Sequence, residues 1–83
     1  MTTKYTEIVM PNVADPYKLD EGTKIKFSFP NHGKGPDRAT ANQYLILNTV
    51  YTVQSVAIDA FESWVRLKEV PGVNFNVAHF ELV

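Results

Sequence analysis

Residues 65–81 read Val-Arg-Leu-Lys-Glu-Val-Pro-Gly-Val-Asn-Phe-Asn-Val-Ala-His-Phe-Glu. Apolar and polar side chains alternate from Val65 to Lys68, the period of a strand with one buried face, and Pro71-Gly72 is placed to end that strand. Beyond it, Asn76 can cap one short helical or 3₁₀ turn, Phe75 and Phe80 are placed to close the open end of a small barrel, and residues 81–83 can return as a last strand. With 83 residues there is room for one compact core and no second domain, because a chain of this size buries only about 60 to 65% of its unfolded surface.

Other runs repeat the strand period. Ile25, Phe27 and Phe29 fall on one face of residues 24–29, after a turn at Asp20-Glu21-Gly22. Residues 45–53 place two apolar positions before a turn at Asn48-Thr49, where asparagine tolerates positive φ, and a new strand starts near Tyr51. The inward set then changes parity from Tyr51 and Val53 to Val56 and Ile58. A single extra residue near Gln54-Ser55, a β-bulge, accounts for that change. Residues 59–62 connect to a strand in which Val65 and Leu67 face in while Trp64, Arg66 and Lys68 face out.

Residues 30–41 are rich in breakers and form the one long loop, with a single helical turn capped by Asp37 at its tail. Residues 1–18 read as an N-terminal arm holding at most one short edge strand, and residues 19–83 as a single domain. The fold class expected is all-β: a small, strongly bent antiparallel barrel of four or five strands, with one long early loop and a 3₁₀ turn before the last strand.

Composition removes several function classes. The hydrophobic content of 45% is that of a folded domain, and a net charge of −1 argues against general affinity for nucleic acid. Without cysteine there is no disulfide, thiolate metal site or thiol chemistry, which favours an intracellular setting over an extracellular one. No apolar run reaches the 18 to 20 or so residues of a membrane span, and residues 1–10 do not read as a signal peptide, so no membrane partner is expected.

Two stretches, Leu45-x-x-Asn48-x-x-Tyr51-x-Val53 and Val65-x-Leu67-x-Glu69-x-Pro71-Gly72-x-x-Phe75-Asn76 ending in Phe80-Glu81, resemble small SH3-like barrel proteins encoded by bacteriophages and related mobile elements. The resemblance covers under half of the chain, and most of the matching residues are ones a barrel needs for packing or turning. It implies a phage-like origin and a bacterial cytoplasmic setting, and brings no assigned activity. The arm and the loop at 31–38 fall outside it.

Two surfaces are candidate sites. His32, Gly33, Lys34, Gly35 and Arg38 combine glycines, which let backbone N–H groups converge, with positive charge, as an anion or nucleic-acid contact would require. The bland alternative is an ordinary solvated loop, and the spacing is not that of a Walker loop. Trp64 with Arg66 and Lys68 is the second candidate, a protein contact of the aromatic-plus-arginine type; its alternative is a tryptophan covered by the arm or by Phe61. His32 and His79 lack ligand-spaced partners, so no metal site is expected, and His79 reads as partly exposed. Glu62, Glu69 and Glu81 sit beside turns, no nucleophile elbow exists, and neither enzyme activity nor a cofactor is expected.

The expectation is therefore a non-enzymatic phage-type accessory protein that binds a bacterial host protein, in host takeover or against host defence. A nucleic-acid, nucleotide or anion binder using the 31–38 loop is one alternative. A structural, virion-associated part that forms homo-oligomers through edge strands is the other.

Overall fold

The computed structural model describes residues 13–83. Five antiparallel strands, β1 (Lys24–Phe27), β2 (Val50–Ile58), β3 (Ser63–Leu67), β4 (Val70–Asn76) and β5 (Phe80–Leu82), form a sheet of order β4-β3-β2-β1-β5. One helix, α1 (Gly35–Tyr44), lies between β1 and β2, and 3₁₀ turns at Pro16–Lys18 and Val77–His79 precede β1 and β5. The fold is a small, mostly β globule whose sheet is not closed, since β4 and β5 stand at opposite ends of the order and do not pair. An edge strand within residues 1–12 lies outside the described residues. No described helix is long and apolar enough to cross a membrane.

Alternation places Ile25 and Phe27 inside, as expected, but β1 stops at Phe27 rather than Phe29. The amides of Ser28 and Phe29 both donate to the His79 carbonyl, at 3.0 Å each, which draws the backbone off the ladder. The bulge in β2 is present: the β2–β3 register shifts between Val53 and Ser55. Asn48 has φ 67°, and its amide donates to the Phe27 carbonyl at 2.7 Å. Asn76 caps the second 3₁₀ turn, its Oδ1 accepting from the Ala78 amide at 2.9 Å.

Four expectations are corrected. The strand after Ser63 ends at Leu67, with the reversal at Lys68-Glu69; Pro71-Gly72 lies inside β4. There Gly72 takes φ +83°, and Arg66 alone spans the ladder opposite residues 71–74, so the Pro-Gly pair forms a wide bulge instead of a stop. The 30–41 loop carries a ten-residue helix rather than one turn, because nothing after Pro36 breaks it and a proline in the first turn leaves no needed N–H missing. Its N-cap position is Lys34, not Asp37. Ile58 is exposed rather than inward, because β2 runs on beyond the core; Val56 is half-buried against it. His79 is wholly buried, packed edge-on against Phe27 at 5.9 Å between ring centroids.

The core joins Ile25, Phe27, Val53, Val65, Leu67, Phe75 and Phe80 across all five strands, and Phe80 makes aromatic contacts with both Phe27 (6.0 Å) and Phe75 (6.4 Å). Tyr44 at the end of α1 meets Phe75 edge-on, seating the helix against β4. Ala14 is buried, and its amide donates to the Phe80 carbonyl at 2.8 Å.

Two glutamates serve the sheet. At the β3–β4 turn, Glu69 accepts from the Thr52 amide (2.8 Å) and hydroxyl (2.7 Å), and Lys24 Nζ donates to the same hydroxyl. Desolvation opposes the charge on Glu69, but the bonds from Thr52, helped by Lys24, outweigh it and hold its carboxyl below the ordinary glutamate value. On β5, the hydrogen bond from the Ser28 hydroxyl (2.5 Å) lowers the Glu81 carboxyl against some desolvation, with Lys26 at 3.4 Å assisting.

Both carboxyls bind protons less readily in the folded chain than in the unfolded one. Their stabilisation is therefore complete above the unfolded value near 4.5 and is lost as pH falls through the lower folded values. Glu69→Gln is expected to cost about 1 kcal/mol at neutral pH after allowing for solvent screening. That is about 4–8 °C in melting temperature for a domain of this size. Thermal melts from pH 7 down to pH 3 should show the gap between wild type and variant closing as the pH falls; a gap independent of pH would contradict this role.

Candidate functional site

A cleft of ≈ 530 Å³ opens where four segments converge: the first 3₁₀ turn with the residues before it, Gly33-Lys34, the β2–β3 turn, and Asn76–Ala78. Each wall has a local cause. Asp15 caps the first 3₁₀ turn, accepting from the Tyr17 amide at 3.0 Å, and Pro16 begins it, so Tyr17 stands out at 78% exposure. In the β2–β3 turn the Asp59 amide donates to the Glu62 carbonyl at 2.8 Å, closing a tight reversal that leaves Phe61 97% exposed at its tip.

Two histidines fasten the opposite wall. His32 Nδ1 lies 3.0 Å from the Ala78 carbonyl, and His79 Nδ1 lies 2.9 Å from the Phe29 carbonyl. Carbonyls only accept, so both Nδ1 atoms carry hydrogen and donate. The loop after β1 and the second 3₁₀ turn are thus stapled in both directions. His32 also stacks on Phe29, with centroids 4.7 Å apart and planes 7° from parallel. Asp37 adds a third tie: its Oδ2 accepts from the Lys34 amide at the start of α1 and from Asn76 Nδ2, both at 3.2 Å.

The structure separates the five loop residues expected to gather around an anion. Gly33 and Lys34 line the cleft, Gly35 opens α1, and His32 is spent on the staple. Arg38 turns back to donate from Nη1 to the Gly33 carbonyl at 2.7 Å, and Lys34 Nζ lies 3.8 Å from Glu62. The N-terminus of α1 already faces the Asp37 carboxylate, so the positive end of the helix is met from within the chain.

Of the other trio, Trp64 and Arg66 share a shallow depression of ≈ 290 Å³ with Ser55, Ala57 and Asn74, Arg66 Nε donating to Asn74 Oδ1 at 2.8 Å. Trp64 is half-buried. Lys68 does not join them and pairs with Glu21 at 3.2 Å. Among the described residues no cluster of three or more His, Cys, Asp or Glu side chains is placed to hold a metal.

Tyr17 and Phe61 are the site residues that sequence reading missed. The available signal was a phenylalanine inside a polar turn, Asp59-Ala60-Phe61-Glu62, where no turn geometry calls for a large apolar side chain.

A small, mostly β protein with an open antiparallel sheet is the class these features define. A family model described as Bacteriophage T4 protein Y07B matches residues 23–83, and the chain belongs to that family. The matched span takes in all five strands, α1 and the 31–38 loop, and begins just before β1. No curated protein and no solved structure matches the chain.

Gly33 has φ +78°, and a Cβ there would stand 3.2 Å from Asp37 Cβ and 3.4 Å from His79 Nε2. Gly72 has a similar φ with nothing within 4 Å. Gly33→Ala is therefore expected to exceed the approximately 1–2 kcal/mol that the backbone alone imposes, while Gly72→Ala shows that backbone cost only. Equal denaturation midpoints for the two variants would show that the loop yields at Gly33.

Proposed function

We propose that this chain is a non-enzymatic accessory protein of phage type, an SH3-like barrel with an open seam, that binds a bacterial host protein through the cleft between Tyr17 and Phe61. Membership of a bacteriophage protein family supports the phage origin. The SH3-like reading is supported by the strand order, the long connection after β1, and the 3₁₀ turn immediately before β5, which returns to pair with β1.

The observation that carries the binding reading is Phe61. A phenylalanine 97% exposed at the tip of a tight turn, beside a cleft whose other rim holds a tyrosine 78% exposed, costs solvation and contributes no packing to the fold. Exposed aromatics around a cleft are the usual anchors of protein interfaces. Host takeover or interference with a host defence is the role that fits a small protein of this origin.

The anion or nucleic-acid reading draws less support. Lys34 faces Glu62, Arg38 is engaged by the Gly33 carbonyl, and the net charge is −1.

The test is capture from bacterial lysate, with and without nuclease treatment, by the tagged chain and by Phe61→Ala and Tyr17→Ala. The two variants should retain the wild-type stability to within roughly 0.5 kcal/mol, as exposed positions do, and should lose a stoichiometric protein that the wild type retains. Capture that survives both substitutions, or that disappears with nuclease or in 0.5 M or so of salt, would remove the cleft from consideration and favour nucleic acid.

A further inference from the structure

The sheet has three stretches of outer edge, and they are closed to different degrees. β4 is interrupted by Pro71, which has no N–H to offer, and by the bulge at Gly72. On β5 the Phe80 carbonyl is occupied by the Ala14 amide. The third stretch is the half of β2 that runs past β1. β1 pairs only with Val50, Tyr51 and Thr52, and bonds to Gly22 and Thr23 cover the strand as far as Val53. Over residues 54–58, β2 is paired with β3 on one side and, among the described residues, with nothing on the other.

That stretch lacks the features by which strand edges discourage pairing. β2 holds no charge, proline or glycine in nine residues, whereas β1 carries Lys24 and Lys26, β3 Arg66 and β5 Glu81. Gln54, Ser55, Ala57 and Ile58 are exposed.

We propose that residues 54–58 pair with the same residues of a second copy, antiparallel and two-fold symmetric about Val56. The lack of charge along this edge admits a second copy of itself. In a self-pair about Val56, Ser55 of one copy lies opposite Ala57 of the other and Gln54 opposite Ile58, so no like charges meet. A two-fold pair uses both edges and closes, so it does not propagate into a fibre. Ser55 and Ala57 are small and sit across from Arg66 and Trp64 on β3, so the joint is bordered by Trp64 from each copy, whose half-exposed ring gains cover there. Five residues of edge bury well under the roughly 1,200–2,000 Å² of a stable interface, so the dimer is weak and forms at high concentration.

Sedimentation equilibrium of the full chain, from about 10 μM to 1 mM, should show the mass rising from 9.4 kDa towards twice that value. Ser55→Lys combined with Ala57→Lys sets ammonium groups opposite each other and should weaken association about tenfold or more, whereas Ser55→Lys with Ala57→Glu sets opposite charges together and should restore it. Far-ultraviolet circular dichroism confirms that both double variants fold. A monomer throughout, or a dimer indifferent to the two charge patterns, overturns the proposal. Amide exchange at residues 54–58 provides the second readout: protection that grows with concentration supports the pair, and protection independent of concentration assigns the edge to another part of the same chain and overturns it.

Discussion

The double histidine staple is the constraint from which most of this architecture follows. The His79 carbonyl accepts from the Ser28 and Phe29 amides, its ring donates to the Phe29 carbonyl, and His32 returns a bond to Ala78. These bonds end β1 early, hold the loop after it against the second 3₁₀ turn, and leave Gly33 wedged beside Asp37 and His79. Burying an imidazole costs solvation, and that cost is offset only where Nδ1 meets its carbonyl. His79 Nε2 is buried without a hydrogen-bond partner. The ring is held by one bond and by its edge contact with Phe27.

The rest of the sheet adapts to a long β2 that must serve two neighbours. Its first three residues belong to β1 and the remainder to β3, and the shift at Val53/Ser55 turns the strand from one partner to the other. Glu69 reaches from the β3–β4 turn to Thr52 just before that change of partner. The residues singled out by resemblance, among them Asn48, Glu69, Pro71, Gly72, Asn76 and Glu81, are thereby accounted for as turn, bulge, cap and strand-tying positions. They describe how the chain folds, and of the six Asn76 also lines the cleft.

Much of the fold was legible because it rests on local rules. The period-2 runs located β1, β2 and β3, the parity change located the bulge, and Asn48 and Asn76 are residues whose backbone and side-chain chemistry announce a positive φ and a cap. The candidate site was less legible. Lys34 and Arg38 look like free cations in sequence, but a charged side chain's partner is set by what folds opposite it, and here those are Glu62 and the Gly33 carbonyl. Trp64 and Lys68 alternate as though on one outer face, yet Glu21 lies close to Lys68 alone.

Sequence by itself determined that this chain is a small antiparallel, mostly β fold, roughly where β1, β2 and β3 run and where β2 bulges, because alternation and turn chemistry act over a few residues. Tertiary structure alone decided that Pro71-Gly72 makes a bulge and not a stop, that the early loop winds into α1, that His79 is buried, and that Tyr17 and Phe61 face one cleft. The burial of His79 and the shared cleft depend on partners more than ten residues away. Local periodicity carries no information about what a side chain will meet at that range.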